Sequence, residues 1–149
     1  MITLYNNDCL KILPTLPDHS IDMVLADLPY GTTRNRWDSI IPMDQLWKQY
    51  TRLLKVGGVV ALFGDEPFSS KLRMSNKKWY RYDWYWTKNH ATGFLNANRM
   101  PLKRVETISI FYPKLPLYNP QMTKGKSYFK KPASTRSSNY GSYRTIPVV

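Results

Sequence analysis

The sequence predicts an α/β fold, and three stretches of the chain support this prediction. Residues 21–27 and residues 59–64 are short, nearly continuous apolar runs, a pattern typical of strands that are covered on both faces. Between them, apolar residues recur at helical spacing over residues 42–58. A strand, a helix and a strand in this order predict a βαβ unit with parallel strands and a right-handed crossover.

The elements before this unit are expected to be short. Residues 2–8 can form a strand that ends at Asp8. Residues 9–20 have leucines at helical spacing, but Pro14 and Pro17 interrupt them, since proline lacks the N–H group that a helix interior needs. One or two helical turns followed by a loop are therefore expected there.

The helix over residues 42–58 has predictable ends. Pro42 suits the first turn, where its missing N–H group would be unpaired anyway, and Asp44 complements the positive end of the helix dipole. Gly57 and Gly58 are expected to end the helix, since glycine readily adopts the left-handed conformation that commonly follows a last turn.

Three further elements are predicted after the second strand. Residues 66–74 indicate a short helix, while residues 79–88 and 104–113 indicate strands that can pair antiparallel and extend the sheet. Residues 89–102 between these strands are expected to form a loop. The first of the two strands is rich in aromatic residues, which favours core packing on at least one face. Stacking on nucleic-acid bases, next to Arg81, is the alternative.

The positive charge of the chain is unevenly distributed. The 149 residues carry a net charge of +12, yet residues 1–75 contain as many acidic as basic residues, so residues 76–149 hold the entire excess. This asymmetry indicates a core joined to a surface that binds a polyanion such as nucleic acid. A solvated basic face is the alternative.

The composition argues against several classes of protein. With a single cysteine, Cys9, the chain cannot form an internal disulfide bond, so a cytoplasmic location is expected. No apolar run reaches the roughly 18 residues that cross a membrane, and the N-terminus lacks the features of a signal peptide. His19 and His90 lie far apart, so no metal site is expected.

The end of the first strand carries a candidate site. In an open α/β sheet, ligands bind beyond the carboxyl ends of the strands, where the stretch DLPYG, residues 27–31, begins. Asp27 offers a carboxylate acceptor, and Tyr30 offers a flat ring for stacking. Pro29 holds Leu28 extended, so that the Leu28 carbonyl has a fixed direction. Two acceptors beside an aromatic ring suit the exocyclic amine of a nucleobase outside its duplex, and a plain strand-ending turn is the alternative.

This motif and three other stretches resemble one protein family. DLPYG is similar to the catalytic Asp-Pro-Pro-Tyr signature of amino-directed DNA methyltransferases, and its leucine occurs among adenine-specific members. In the same order, residues 6–31, 53–64 and 84–111 resemble that family's opening segment, its helix–Gly-Gly–strand segment and its later Trp-x-Lys loop with a Glu-bearing strand. The resemblance implies a partial Rossmann-like methyltransferase sheet with helices on both faces and a basic C-terminal extension.

The resemblance also implies an activity and residues for it. The chain would transfer methyl from S-adenosylmethionine to a flipped adenine in double-stranded DNA, with Asp27 and the Leu28 carbonyl accepting the adenine amine and Tyr30 stacking on the base. Asp8 and Cys9 would lie against the adenine ring of the cofactor, although Cys9 equally fits a small buried apolar residue. The residues expected to contact DNA are Arg34, Arg36, Lys88, Arg99, Lys103 and Arg104. For Arg34 and Arg36, simple solvent exposure is the alternative.

One feature of that family is missing from the sequence. None of the seven glycines lies in the Phe-x-Gly-x-Gly-like cofactor loop that members with an N-terminal catalytic motif carry near the C-terminus. A truncated gene, a degraded prophage copy or one piece of a split enzyme would explain this pattern.

These observations define the expected organisation and partners. Residues 1–112 are expected to form a partial methyltransferase domain, and residues 113–149 a basic segment that is target-recognition-like or disordered. Double-stranded DNA is the expected partner, together with a complementary C-terminal half or a second copy, because the catalytic strand would otherwise be an exposed edge. A non-catalytic DNA-binding remnant and an N4-cytosine methyltransferase are the alternative functions.

Overall fold

A four-stranded mixed sheet organises the fold. The computed structural model describes residues 1–125, and Met1–Tyr118 form one unit within it. The helices are α1 (Cys9–Ile12), α2 (Met43–Leu53) and α3 (Phe68–Ser75), with short 3₁₀ turns at Leu13–Thr15 and Phe94–Asn96. The strands are β1 (Ile21–Asp27), β2 (Leu54–Gly64), β3 (Tyr80–Thr92) and β4 (Lys103–Phe111). Of the basic segment predicted over residues 113–149, residues 126–149 lie outside the described part of the chain.

The strand order is β1-β2-β4-β3, which confirms the predicted α/β fold, its βαβ unit and its antiparallel extension. β1 and β2 run parallel, with Val24 opposite Val60 and Asp27 opposite Phe63. β4 is antiparallel to both β2 and β3. β1 therefore forms one edge of the sheet in the part of the chain that is described. The helices within residues 1–125 include none with the length and apolar composition that a membrane span requires.

The helix α2 ends before Leu54, earlier than the sequence predicts, and Gly57 and Gly58 lie in β2 instead of ending the helix. Leu54 is extended, pairs with Ile21 and is buried. The register between β1 and β2 then shifts, so the two glycines lie in an irregular part of the strand. The predicted helix end is wrong because a long-range pairing with β1 places Leu54 in the sheet.

Two other expectations are corrected by the strand pairing. Residues 2–8 do not form a strand. They are exposed and pair with none of the described strands, so their backbone groups make no hydrogen bonds within the sheet. The predicted loop 89–102 begins later, since β3 continues to Thr92, which pairs with Lys103. The other boundaries lie close to the predicted ones.

The hydrophobic core lies on one face of the sheet. Its buried residues come from both α2 and α3 and from the sheet, and include Leu46, Trp47, Tyr50, Phe68, Leu72, Val60, Leu62 and Phe111. Val60 pairs directly with Phe111, so their side chains share this face. Within the described residues α2 and α3 therefore cover one face, where the sequence predicted helices on both.

The opposite face of the sheet is apolar and largely exposed. Met23 and Leu25 of β1 are 44% and 59% exposed, and Trp84 and Trp86 of β3 are 45% and 51% exposed. Only the first two residues of the aromatic run, at its N-terminal end, pack against the core. The interpretation of this run as core packing is thus wrong for most of its residues.

Trp47→Phe is expected to lower the free energy of unfolding by about 1 kcal/mol, because the Trp47 Nε1–H group donates to Ser75 Oγ at 2.7 Å and phenylalanine cannot. Urea unfolding followed by circular dichroism measures this change. The matched control is Trp37→Phe, since Trp37 is 72% exposed and is expected to contribute little. Equal losses of unfolding free energy in the two variants would contradict a stabilising role for the hydrogen bond between Trp47 and Ser75.

Candidate functional site

The stretch Asp27–Tyr30 leaves the sheet at the carboxyl end of β1. Asp27 is exposed, whereas Leu28 is 8% exposed and packs in the core, so a buried anchor follows the carboxylate directly. The Tyr30 Oη–H group donates to Asp27 Oδ1 at 2.6 Å. The structure thus fixes an acceptor at the sheet edge and leaves Oδ2 of Asp27 outside this bond.

The ring of Tyr30 is backed by Phe68. The two ring centroids are 4.9 Å apart and the ring planes differ by 20°. Phe68 is 1% exposed at the start of α3, so it offers a fixed surface. Burial raises the pKa of the Tyr30 phenol, and the hydrogen bond to Asp27 raises it further, so the phenol stays a neutral donor at neutral pH. One face of the ring is covered, and stacking on a ligand would use the other.

A second carboxylate closes the loop that follows Tyr30. Asp38 Oδ1 accepts the backbone N–H of Gly31 at 2.8 Å. Asp38 Oδ2 accepts the backbone N–H groups of Thr32 at 3.0 Å and Thr33 at 2.6 Å. Hydrogen bonds from Gly31 and then from Thr33 lower the pKa of the buried Asp38 carboxyl to about 2, so it is charged at neutral pH.

Gly31 is required by the turn between Tyr30 and this loop. Its φ is +68°, a left-handed conformation that other residues rarely adopt. A Cβ atom at this position would also lie 2.9 Å from Cγ1 of Ile40, closer than van der Waals contact allows. Conformation and space both restrict this position to glycine.

Charged residues that follow β2 or belong to β3 and β4 lie at the same end of the sheet as Asp27. The antiparallel pairing of β4 with β2 brings the start of β4 to the end of β2, beside the end of β1. Lys103 forms an ion pair with Asp65, and Lys88 forms one with Glu106. Both lysines expected to bind DNA are therefore already paired with carboxylates.

The four predicted arginines also lie at this end. Arg34 and Arg36 are exposed in the loop after DLPYG, and Arg99 is exposed in the connection between β3 and β4. None of these three forms an ion pair with another described residue. Arg104 donates to main-chain carbonyls near the end of β3. Among these four, Arg34, Arg36 and Arg99 are thus the arginines most available to a polyanion.

Asp8 and Cys9 lie at the start of α1. Asp8 Oδ1 accepts the Leu10 N–H at 2.9 Å and caps the helix. Burial and then the charge of Asp8 raise the pKa of the Cys9 thiol. No hydrogen bond among the described residues joins this pair to Asp27–Tyr30. A cavity of about 240 Å³ nearby is lined by Leu10, Gln45, Lys48 and Gln49.

Two residues of the site, Asp38 and Phe68, were not identified from the sequence. A short acidic side chain soon after a Gly-Thr-Thr stretch is a usable signal for Asp38, because such side chains often accept N–H groups of nearby loops. Phe68 gives no local signal, since its contact with Tyr30 depends on how α3 packs. No group of residues in the described part could hold a metal ion.

Comparisons with known proteins give matches among solved structures. No family model and no curated protein matches the sequence. M1.HpyAVI, solved in complex with SAM, aligns with a TM-score of 0.61 at 17% identity over 84% of this chain and 64% of its own. A protein from Thermus thermophilus, classed as a DNA modification methylase, aligns with a TM-score of 0.51 at 19% identity over 78% and 54% of the two chains.

A cytosine-N4-specific methyltransferase is among the matches as well. PvuII DNA methyltransferase aligns with a TM-score of 0.54 at 18% identity over 75% of this chain and 49% of its own. The chain therefore has the fold of these proteins, and it spans less than two thirds of the length of each.

Proposed function

We propose that this chain is the catalytic part of a DNA methyltransferase that transfers methyl from S-adenosylmethionine to the exocyclic amine of a flipped adenine. The observation that carries this proposal is the position of Asp27–Tyr30 at the carboxyl end of β1, in a fold shared with solved DNA methyltransferases. The Asp27 carboxylate and the Leu28 carbonyl would accept the two hydrogens of the amine. Tyr30 would stack on the base with the ring face that Phe68 leaves open.

The acceptors have a chemical role beyond binding. A carboxylate and a carbonyl that accept the amine hydrogens keep electron density on the nitrogen, and the Asp27 carboxylate would also be in a position to accept the proton that the amine releases. Tyr30 donates to Oδ1 of Asp27, so the amine would bind Oδ2 or displace the phenol. Leu28 contributes only through its backbone, which agrees with a buried leucine side chain.

S-adenosylmethionine would supply an electrophilic methyl group. We assign its adenine end to Asp8 and Cys9. Asp8 uses Oδ1 to cap α1, so its Oδ2 can accept a hydrogen bond from a ligand. The match to a structure solved with SAM supports this choice of cofactor. The DNA contacts are assigned to Arg34, Arg36 and Arg99 first, because Lys88 and Lys103 are paired.

We also propose that the outer edge of β1 pairs with a further strand, from a complementary segment or from a second copy of the chain. Met23 and Leu25 are exposed on this strand, and no described strand lies beyond it. Proteins rarely leave an apolar edge strand uncovered, because it pairs with other chains. The matched structures are also longer than this chain, which supports a need for additional sheet.

Transfer of tritium from labelled S-adenosylmethionine to double-stranded DNA tests the proposal. The chain is assayed alone and together with the section of M1.HpyAVI that has no counterpart in it. Nucleoside analysis of the DNA is expected to give N6-methyladenine, whereas N4-methylcytosine would favour the alternative that the PvuII match keeps open. Transfer to neither base, with DNA binding intact, would contradict the catalytic assignment.

A non-catalytic DNA-binding function is the second candidate. It is favoured by Arg34, Arg36 and Arg99, which are exposed, form no ion pair with a described residue, and can contact phosphates whether or not Asp27 acts. Its signature is salt-sensitive DNA binding that is unchanged by Asp27→Ala and by S-adenosylmethionine.

Tyr30→Phe is expected to keep methyl transfer within about tenfold of the parent, whereas Tyr30→Ala loses more, because base stacking is worth roughly 1–3 kcal/mol and only alanine removes it. The phenyl ring keeps its stacking on Phe68 and gives up only the hydrogen bond to Asp27. The values of kcat/KM for the two variants measure the difference. If phenylalanine were as damaging as alanine, the hydroxyl and not the ring would carry the role.

A further inference from the structure

The loop between DLPYG and Asp38 has an unusual internal support. Three consecutive backbone N–H groups, those of Gly31, Thr32 and Thr33, point at one carboxylate at distances between 2.6 and 3.0 Å. A carboxylate that accepts several backbone N–H groups makes charge-assisted hydrogen bonds, which are stronger than neutral ones. Asp38 is 7% exposed, so water competes little for these bonds.

The geometry ties the loop directly to the stretch Asp27–Tyr30. Gly31 follows Tyr30 in the chain, and its N–H is held by Asp38. The Asp38 backbone N–H in turn donates to the Asn35 carbonyl at 3.0 Å, inside the same loop. Arg34 and Arg36 flank Asn35, and both are exposed. The loop therefore carries its arginines on a backbone that is fixed at both ends by one residue.

We propose that Asp38 is a positioning residue: by closing residues 31–38 onto Tyr30, it holds Arg34 and Arg36 where they contact the phosphates of DNA beside the candidate site. The proposal rests on the proposed function for the identity of the polyanion. A loop without this support would have to be ordered on binding, and the conformational entropy cost of ordering it would weaken binding.

Asp38→Asn separates this role from simple electrostatics. The substitution makes the chain more positive, so electrostatics alone would strengthen DNA binding. The amide keeps the size of the side chain and one acceptor oxygen, but it places an NH₂ group at the other position and removes the negative charge, so at least one of the three N–H groups loses its acceptor and the remaining bonds are weaker. We expect weaker DNA binding by at least about fivefold, a smaller factor than the roughly 10- to 150-fold that corresponds to one hydrogen bond to a charged group. Asp44→Asn, an exposed position with the same charge change, is the control and is expected not to weaken binding.

Two further measurements complete the test. Amide hydrogen exchange is expected to quicken about tenfold or more at Gly31, Thr32 and Thr33 in Asp38→Asn, with strand β2 unchanged, which also shows that the variant folds. A double-mutant cycle combines Arg34→Ala/Arg36→Ala with Asp38→Asn. The combined variant is expected to lose less DNA-binding free energy than the sum of the two separate losses. Asp38→Glu keeps the negative charge but moves the carboxylate by one methylene group. This variant replaces Asp38→Asn in the test if the asparagine variant does not fold.

The outcomes are distinct. Additive losses in the cycle, unchanged exchange at the three amides, or tighter DNA binding by Asp38→Asn would overturn the proposal, as would a parent chain that does not bind DNA at low salt. Neither assay requires methyl transfer. A chain that shows the expected exchange and binding but transfers no methyl group, even together with the section of M1.HpyAVI that it lacks, would therefore contradict the proposed activity and leave the role of Asp38 supported.

Discussion

Asp27→Ala is expected to lower methyl transfer to DNA by at least about 100-fold, because it removes the acceptor at the end of β1 that would hold the target amine. The side chain is exposed and its bond to Tyr30 is the only side-chain hydrogen bond it makes with a described residue, so its loss leaves the fold intact. The substitution is therefore expected to affect methyl transfer far more than stability. Single-turnover rates with labelled S-adenosylmethionine measure the effect.

Asp22→Ala is the matched control for this experiment. Asp22 lies in the same strand, is exposed and forms an ion pair with Lys55 at 2.7 Å. A surface pair of this kind contributes little, so transfer is expected to stay within about twofold of the parent. Asp27→Asn keeps the shape of the side chain and one acceptor oxygen, so its methyl transfer should lie between that of Asp27→Ala and that of Asp22→Ala. Undiminished transfer by Asp27→Ala would exclude the proposed role of the motif.

The sequence predicts the parts of this fold that local patterns determine. The apolar runs that became β1 and β2 and the stripe of α2 need only their own residues to be recognised. The end of α2 was not predictable in this way, because Leu54 belongs to the sheet only through its pairing with Ile21. Leu54 fits both the apolar stripe of the helix and the apolar run of the strand. Its pairing with Ile21, which is distant in sequence, places it in the strand.

The candidate site shows the same division. DLPYG is recognisable as a candidate from its chemistry and from its place after an apolar run, both of which are local properties. Phe68 was missed because Tyr30 meets it only when α3 packs on the sheet. The exposed Trp84 and Trp86 show the reverse error. Aromatic alternation indicates a strand correctly, but which face is covered depends on elements elsewhere in the chain.

The arginines of the candidate site give the second large prediction. Replacing Arg34, Arg36 and Arg99 together by alanine is expected to weaken DNA binding by at least about tenfold at moderate salt, and to reduce the slope of log K against log salt by about 0.9 for each phosphate that is no longer neutralised. These three side chains are exposed and form no ion pair with described residues, so their charge is fully available. Fluorescence anisotropy over a salt series measures both quantities.

The control must remove the same charge from the other end of the sheet. Lys77, Lys78 and Lys114 serve this purpose, since they are exposed, form no ion pair with a described residue, and flank the start of β3 and the end of β4. If net charge alone drives binding, the two triple variants should weaken it equally, because each lowers the charge by three. If the DNA lies at the carboxyl end of β1, only the arginine variant should bind fewer phosphates. Equal salt slopes would place the DNA elsewhere and separate polyanion binding from the site at Asp27.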